Sequence, residues 1–472
     1  MPIEIPPPPP PSRGIYCNRT VNLKAIGAVG YDMDYTLIHY HVQEWERRAY
    51  EFARDRLADG GLPVAHLRFD CDLVDRGLIL DTHLGNTVKA DRFGYIKAAA
   101  HGTRMLDFPA VRETYGRVYV DLREERWVFL STLFDISLSV LYGQCVDLLD
   151  DGVLERGLGY RGLFDRVRAG LDSAHIEGKL KAEIIDNPDA FVDLDPDGPR
   201  TLLDQKRAGK RLMLITNSEW RYTAAMMKYA FDRYLPDEMT WRDLFDLVIV
   251  QARKPAFFTT TNPLYEVIND EGHLRPVVGL PQVGKVYYGG HAALIEQALG
   301  LSGRDILYVG DHVFSDVNVT KSTVRWRTAL VLRELEGELD AVAAFASDER
   351  RLGALMAEKA ELDRRVAWMR LMRLRLRCGE QGPPRRELEA AIADAKQVLV
   401  ALDHRLRPLA ARAATLRSAR WGPVMRAGID KSHLARQIER YADVYTSRVS
   451  NFLHATPYVY LRAPKSSLSH DI

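Results

Sequence analysis

The chain has 472 residues, more than one hydrophobic core ordinarily serves, so two domains and an extension are expected. Its 65 Lys and Arg against 64 Asp and Glu leave a formal charge of +1, which supplies no global pull toward nucleic acid or membrane. The four cysteines, Cys17, Cys71, Cys145 and Cys378, are widely scattered with no CxxC spacing; this argues against a disulfide framework or a zinc site and for a reducing, cytoplasmic setting.

The chain opens on Met1-Pro-Ile-Glu-Ile5 and a run of prolines, Pro6 to Pro11. No basic region followed by an apolar core stands there, so no signal peptide is expected, and residues 1–11 read as an exposed polyproline II arm. A run of about 18 apolar residues is absent throughout, so no membrane span is expected either.

The first element with chemistry is an apolar strand, Ala25 to Tyr31, that runs into Asp32-Met33-Asp34-Tyr35-Thr36. Residues two apart on an extended segment share a face, so Asp32 and Asp34 would point into one small volume if the strand ends in a cleft. Two carboxylates that close invite a hard divalent cation such as Mg²⁺, which neutralises both them and an incoming phosphate. Alone, Asp-x-Asp-x-Thr fits a surface Asx turn equally well.

After residue 40 comes a long interval before the next such motif, too long for one crossover between neighbouring parallel strands. Helical segments at Glu44 to Leu57 and Thr132 to Leu149, with strand-like pieces at Leu78 to Leu80 and Val118 to Val120, predict a folded insertion over residues 41–200. Within it, Arg168, Asp172 and His175 fall at spacings of four and three, which would place them on one helical face; by itself that is an ordinary charged helix surface.

Three more strand ends follow. Arg211 to Ile215 ends in Thr216-Asn217-Ser218, whose hydroxyl and amide groups, with the N–H groups of a following helix, suit phosphate oxygens. Leu247 to Val250 leads to Lys254, a cation able to balance a transferring phosphoryl group. Asp305 to Val309 ends in Gly310-Asp311-His312-Val-Phe-Ser-Asp316, a second acidic pair in which His312 reads as structural. Beyond residue 345 the pattern turns to long helical periodicity over 350–377 and 386–419, interrupted by Gly379-Glu-Gln-Gly-Pro-Pro384, which predicts an antiparallel hairpin over 346–420. Its first arm is rich in arginine, which reads either as a solvated face or as a polyanion surface.

The ordered set of strand ends, Asp/Asp, Thr/Asn, Lys and Asp/Asp, resembles the haloacid dehalogenase superfamily, and Asp34 places the chain with its phosphatases rather than its carbon-halogen enzymes. Over most of the chain the strings Tyr31-Asp-Met-Asp-Tyr-Thr-Leu37, Ala252-Arg-Lys-Pro-Ala-Phe-Phe258, Gly310 to Asp316 and Trp326-Arg-Thr328 resemble the cytosolic purine 5'-nucleotidases, which act on IMP and GMP. Leu84-Gly85-Asn86 through Asp91-Arg-Phe-Gly-Tyr95, and Arg436-Gln-Ile-Glu-Arg-Tyr-Ala-Asp-Val-Tyr-Thr446, are similar to the same family.

The resemblance implies an α/β fold: a Rossmannoid core of parallel strands over 12–40 and 201–345, the insertion as an α+β cap, the helical hairpin, and a C-terminal segment, 421–472, packed on the core. It implies that Asp32 is the nucleophile and Asp34 the acid and base. Asp32, the Asp34 main-chain carbonyl and Asp311 would hold Mg²⁺, Thr216, Asn217 and Ser218 would meet phosphate, Lys254 would balance charge, and Asp316 would orient Lys254 or a metal-bound water. In the cap it implies substrate contacts from Arg168, Asp172, His175 and Lys181 and base stacking on Phe134, with Asp135 standing where the animal enzymes usually carry Asn. The implied activity is hydrolysis of purine nucleoside 5'-monophosphates, with phosphotransfer to a nucleoside as a secondary reaction; the helical arms, of a kind that commonly serves assembly, predict a homo-oligomer (dimer or tetramer), and the sequence predicts no membrane or nucleic-acid partner. The alternatives are a phosphatase of sugar phosphates or other small phosphomonoesters, and a non-catalytic scaffold that binds through the arginine-rich arm.

Overall fold

The computed structural model describes residues 7–176 and 178–466, without the side chains of residues 156 and 172–176. Two compact units emerge: Met1–Glu336 together with Val424–Ile472, and Gly337–Pro423.

The first unit is built on a ten-stranded sheet in the order Ile15–Cys17, Val444–Thr446, Arg327–Val331, Ile306–Gly310, Ala28–Tyr31, Arg211–Ile215, Leu247–Val250, Lys285–Gly289, Leu264–Val267, Leu274–Pro276. Neighbouring strands from Val444–Thr446 to Lys285–Gly289 are parallel. The expectation of a parallel sheet is corrected at both margins, where Ile15–Cys17 and the Leu264–Val267 and Leu274–Pro276 pair run antiparallel. The central strands are short, aliphatic and buried on both faces, as Leu212–Ile215 and Leu247–Val250 are, which is the composition a helix-covered parallel sheet requires.

Chain order sets the position of the cleft. From Ala28–Tyr31 the strands proceed to one side through Arg211–Ile215, Leu247–Val250 and Lys285–Gly289, and then Ile306–Gly310 returns to its other flank. The order reverses at Ala28–Tyr31, so the crevice outside its carboxyl end is a topological switch point, where open α/β sheets bind ligands.

Between Ala28–Tyr31 and Arg211–Ile215 lies an insertion with an antiparallel sheet of five strands, Arg104–Met105, Ile96–His101, Asn86–Ala90, Ile79–Asp81 and Trp127–Phe129, and helices Val42–Asp59, Asp135–Asp150, Gly159–Ile176 and Lys179–Asp186. Its two ends are clipped together where His39–Tyr40 pairs with Val192–Asp193. Val118 to Val120, expected as a strand, contributes only a bridge between Tyr119 and Tyr95. The strand capacity went instead to Asn86–Ala90 and Ile96–His101, whose alanines and lysines disguise them.

In the second unit two helices form the hairpin, Arg385–Ala414 and the part of Leu335–Arg377 beyond residue 336, closing on Leu355, Leu402, Leu406 and Leu409 with Leu352 and Leu362 against them. The first helix starts well before residue 350 because Leu335 to Glu349 is composed of strong helix formers with no breaker but Gly337. Among the described residues no helix is long and apolar enough to cross a membrane.

Candidate active site

The turn after Ala28–Tyr31 is tight. The Met33 carbonyl accepts from Thr36, Leu37 and Ile38 N–H, and Tyr35 takes a left-handed φ of 54°. Gln251 and Arg253 are also left-handed without being glycine, at φ 47° and 58°. Such conformations cost about 1–3 kcal/mol each and persist where surrounding structure holds them, as it does at this set of strand ends.

Lys254 is the hub. Its ammonium lies 2.8 Å from Asp32 Oδ1 and 2.9 Å from Asp316 Oδ1, and donates to the Tyr308 hydroxyl at 2.9 Å. Tyr308 donates in turn to the Ile215 carbonyl. Burial opposes the charge on Lys254, but Asp316 and Asp32 overcome it and hold its pKa well above the ordinary lysine value. Asp316 Oδ2 accepts from His312 N–H at 3.1 Å. Gly310 lets Asp316 come this close, since a Cβ there would stand 2.5 Å from the Asp316 carboxylate.

Asp32, Asp311 and Asp316 place carboxylate oxygens within 4.8 Å of one another. Among the described residues Lys254 is in ion-pair contact with Asp32 and Asp316, and Arg76 acts electrostatically on Asp311, so three carboxylates share two cations. Burial, with Lys254 pulling the other way, raises the Asp32 carboxyl well above the usual range; burial, opposed by Arg76, pushes Asp311 up to about 7. A buried group of carboxylates with neither imidazole nor thiolate suits a hard divalent cation, and Asp32, Asp311 and Asp316 are the side chains that would hold it. The Asp34 carboxylate is turned elsewhere, so any ligand from that residue would be its main-chain carbonyl.

Asp34 is held by hydroxyls. Oδ1 accepts from Tyr40 at 2.5 Å and Oδ2 from Ser218 at 2.6 Å, while Tyr40 lies 3.1 Å from the Tyr222 hydroxyl. Lys181, carried by the insertion, donates to Ser218 Oγ at 2.9 Å and lies 4.7 Å over the Tyr222 ring. Ser218 therefore contacts Asp34 and Lys181 directly. Thr216 is buried, with its hydroxyl oxygen accepting from Ser218 N–H. The Asn217 side-chain amide accepts from Lys254 N–H at 2.6 Å and donates to the Lys254 carbonyl at 3.1 Å, so it fixes the lysine's main chain.

The insertion also grips the Asp311 loop. Arg76, 2 % exposed, donates to the carbonyls of Asp311 and Ser131 and faces Glu334 at 3.3 Å, and Thr132 donates to Asp311 Oδ2 at 3.0 Å. His312 Nδ1 accepts from Phe314 and Ser315 N–H, a capping role. Of the remaining cap residues, Phe134 packs edge-on against Tyr35 at 4.7 Å and Trp45 at 5.6 Å and stays partly exposed. Asp135 Oδ2 accepts from Ser131 and Thr132 N–H, and burial pushes its carboxyl up to about 6. Arg168 is exposed and acts electrostatically on Asp135. Asp172 and His175 lie outside the residues whose side chains are described. A separate cavity of about 870 Å³, lined by Trp127, Phe129, His312, Phe314, His433 and Arg436 among others, lies beside the Asp311 loop; Asp32, Asp34 and Lys254 do not line it.

Sequence reading missed Arg76, Tyr40, Thr132, Tyr222 and Tyr308. Tyr308 had a signal, a lone phenol in the aliphatic strand Ile306–Gly310, and Tyr40 lies just past the first motif. Arg76 had none.

The chain is 25% identical over 485 residues to a 5'-nucleotidase domain-containing protein of Dictyostelium discoideum, covering 98% of this chain and 76% of that one. It is 29% identical over 367 residues to 5'-nucleotidase domain-containing protein 1 of Bos taurus, covering 72% of this chain and 79% of that one. Residues 15–472 match the model of the 5' nucleotidase family, and the chain belongs to that family.

Proposed function

We propose that this protein is a Mg²⁺-dependent phosphohydrolase with a haloacid dehalogenase-like core that converts purine nucleoside 5'-monophosphates, IMP and GMP foremost, to nucleoside and phosphate. The observation that supports this furthest is the buried cluster of Asp32, Asp311 and Asp316 around Lys254 at the switch point, with Asp34 two residues beyond Asp32 and held by Tyr40 and Ser218. Asp32 Oδ1 is engaged by Lys254 and by Met33 N–H, while Oδ2 has no hydrogen-bond partner among the described residues and is the attacking atom. It forms the O–P bond of an aspartyl-phosphate as the bond from phosphorus to the 5'-oxygen breaks.

Asp34, once protonated, gives its proton to that leaving oxygen. As a carboxylate it then takes a proton from the water that attacks phosphorus and releases Asp32. Tyr40 and Ser218, holding one oxygen each, keep the carboxyl aimed through both half-reactions. Lys254 and the Thr216 hydroxyl meet phosphate oxygens, while Asn217 maintains Lys254 in place. A bound Mg²⁺ would add charge neutralisation between the carboxylates and the phosphate. In the cap, Phe134 stacks on the base, and Arg168, Asp172, His175 and Lys181 contact the nucleotide. A nucleoside that arrives before water would accept the phosphoryl group at its 5'-hydroxyl, giving phosphotransfer.

One feature favours a second reading, a broader phosphomonoesterase. The Asp135 carboxylate is partly spent on Ser131 and Thr132 N–H, which weakens its use in base selection. Phosphate release from a panel of nucleoside 5'-monophosphates and sugar phosphates, with Asp32→Asn as the blank, decides between them. Mg²⁺-dependent release concentrated on IMP or GMP and abolished in the variant upholds the proposal; activity spread over sugar phosphates transfers it to the broader enzyme, and no activity on any substrate rejects both.

A further inference from the structure

The distal end of the helical hairpin carries chemistry that phosphate release does not use. Between Arg364 and Arg386 stand eight arginines, at positions 364, 365, 370, 373, 375, 377, 385 and 386, against one acid, Glu380. The rest of Gly337–Pro423 holds nine basic and eleven acidic residues, so the positive charge is concentrated at this end. Arg365, Arg370 and Arg386 make no ion pair within 4 Å among the described residues.

The same stretch exposes apolar bulk. Trp368, Leu371 and Leu374 are 54%, 37% and 56% exposed, spaced by three along the helix so that they share one side. The Arg375 guanidinium lies 5.5 Å from the Trp368 ring centre. This side is not the hairpin's seam, because Val366 of the same helix is buried, as are Leu388 and Ile392 of the returning one.

We propose that this end docks on an anionic lipid surface. The arginines engage headgroup phosphates, and Trp368, Leu371 and Leu374 enter the boundary with the acyl chains, an arrangement in which charge and apolar area reinforce each other. Such contact needs no spanning helix. The apolar trio selects lipid over RNA: single strands bind on stacking platforms, and Trp368 is the only aromatic residue between Arg364 and Arg386. A second copy of the chain would bring like charge against like.

The test is flotation of the full-length protein with vesicles of equal parts phosphatidylglycerol and phosphatidylcholine, and with phosphatidylcholine alone, at low and high salt. The expected result is binding to the anionic vesicles only, weakened by salt. It falls on the order of a hundredfold in Arg365→Gln/Arg370→Gln/Arg386→Gln, each arginine near such a surface contributing about fivefold. It also falls in Trp368→Ser, with the circular dichroism of both variants unchanged. Absent binding, equal binding to neutral vesicles, or binding insensitive to both variants overturns the proposal. So does tighter capture by poly(U) that displaces the vesicles, or light scattering in which these substitutions dissociate a dimer.

Discussion

Replacing Arg76 with Met tests whether the insertion holds the Asp311 loop in place. The guanidinium is buried, faces Glu334 at 3.3 Å, and donates to the carbonyls of Ser131 and Asp311. The Glu334 side chain is itself buried, and its Oε2 has no hydrogen-bond partner among the described residues, so Arg76 carries most of its compensation. Removing one member of a buried pair strands the other, which costs about 3–5 kcal/mol, and the two carbonyls lose charged donors besides. Urea denaturation followed by tryptophan fluorescence should show a loss in that range for Arg76→Met. Arg76→Met/Glu334→Leu should recover about half or more of it, because the stranded charge is gone. Phosphate release should fall at least tenfold in both, because neither restores the contact to the Asp311 carbonyl. A single variant that loses less than about 1 kcal/mol would refute the argument from desolvation. A double variant with full activity would refute the link from Arg76 to the loop.

Tyr40→Phe keeps the ring against Tyr35 and Trp45 but removes a hydroxyl bonded to a carboxylate, so kcat should fall about tenfold with KM little changed, as steady-state kinetics would reveal. Glu46 is buried and burial pushes its carboxyl up to about 8; its Oε2 accepts from Ser137 N–H and its Oε1 meets no hydrogen-bond donor among the described residues. Because that value lies above the unfolded 4.5, the unfolded state ionises first, and the stability present below pH 4.5 drains away as pH rises to about 8. Glu46→Gln should therefore be more stable than the parent by up to about 3 kcal/mol at pH 7 and show no such advantage at pH 4, measured as urea midpoints against pH. Leu402, 2 % exposed in the hairpin seam, should cost about 2–4 kcal/mol as Leu402→Ala, read as a lowered thermal midpoint of the hairpin's helical signal.

How far sequence reading reached depended on whether function was carried by neighbours in the chain. Asp32, Asp34, Thr216, Lys254, Asp311 and Asp316 stand at the ends of short aliphatic runs, so strand periodicity located them and the alternation of strand and helix implied a common edge. The structure brings those side chains together except that Thr216 and Asp34 sit toward Ser218, apart from the carboxylate cluster. The contact of Asn217 to the Lys254 main chain had no local signal, because an Asn after a strand-end Thr looks the same in sequence whether or not it holds a neighbouring strand end. Arg76 was illegible because its partners, Ser131, Asp311 and Glu334, lie far away in sequence, and no local pattern distinguishes a buried arginine from a surface one.

The clip between His39–Tyr40 and Val192–Asp193 explains why the insertion and the core form one chemical site. A segment inserted between two strands could be tethered at one end and swing freely. Here the chain leaves and re-enters side by side, and Tyr40, in the clip itself, holds one oxygen of Asp34. Lys181 reaches Ser218 from the re-entering side, and Arg76 and Thr132 reach Asp311 from the middle. Ser218, which holds Asp34, and Asp311 thus each take a hydrogen bond from the insertion. A core lacking residues 41–200 would keep every motif residue that strand-end reading identifies while losing the donors from Lys181, Arg76 and Thr132. In the proposed reaction the insertion therefore belongs to the frame that holds Ser218 and Asp311 in place.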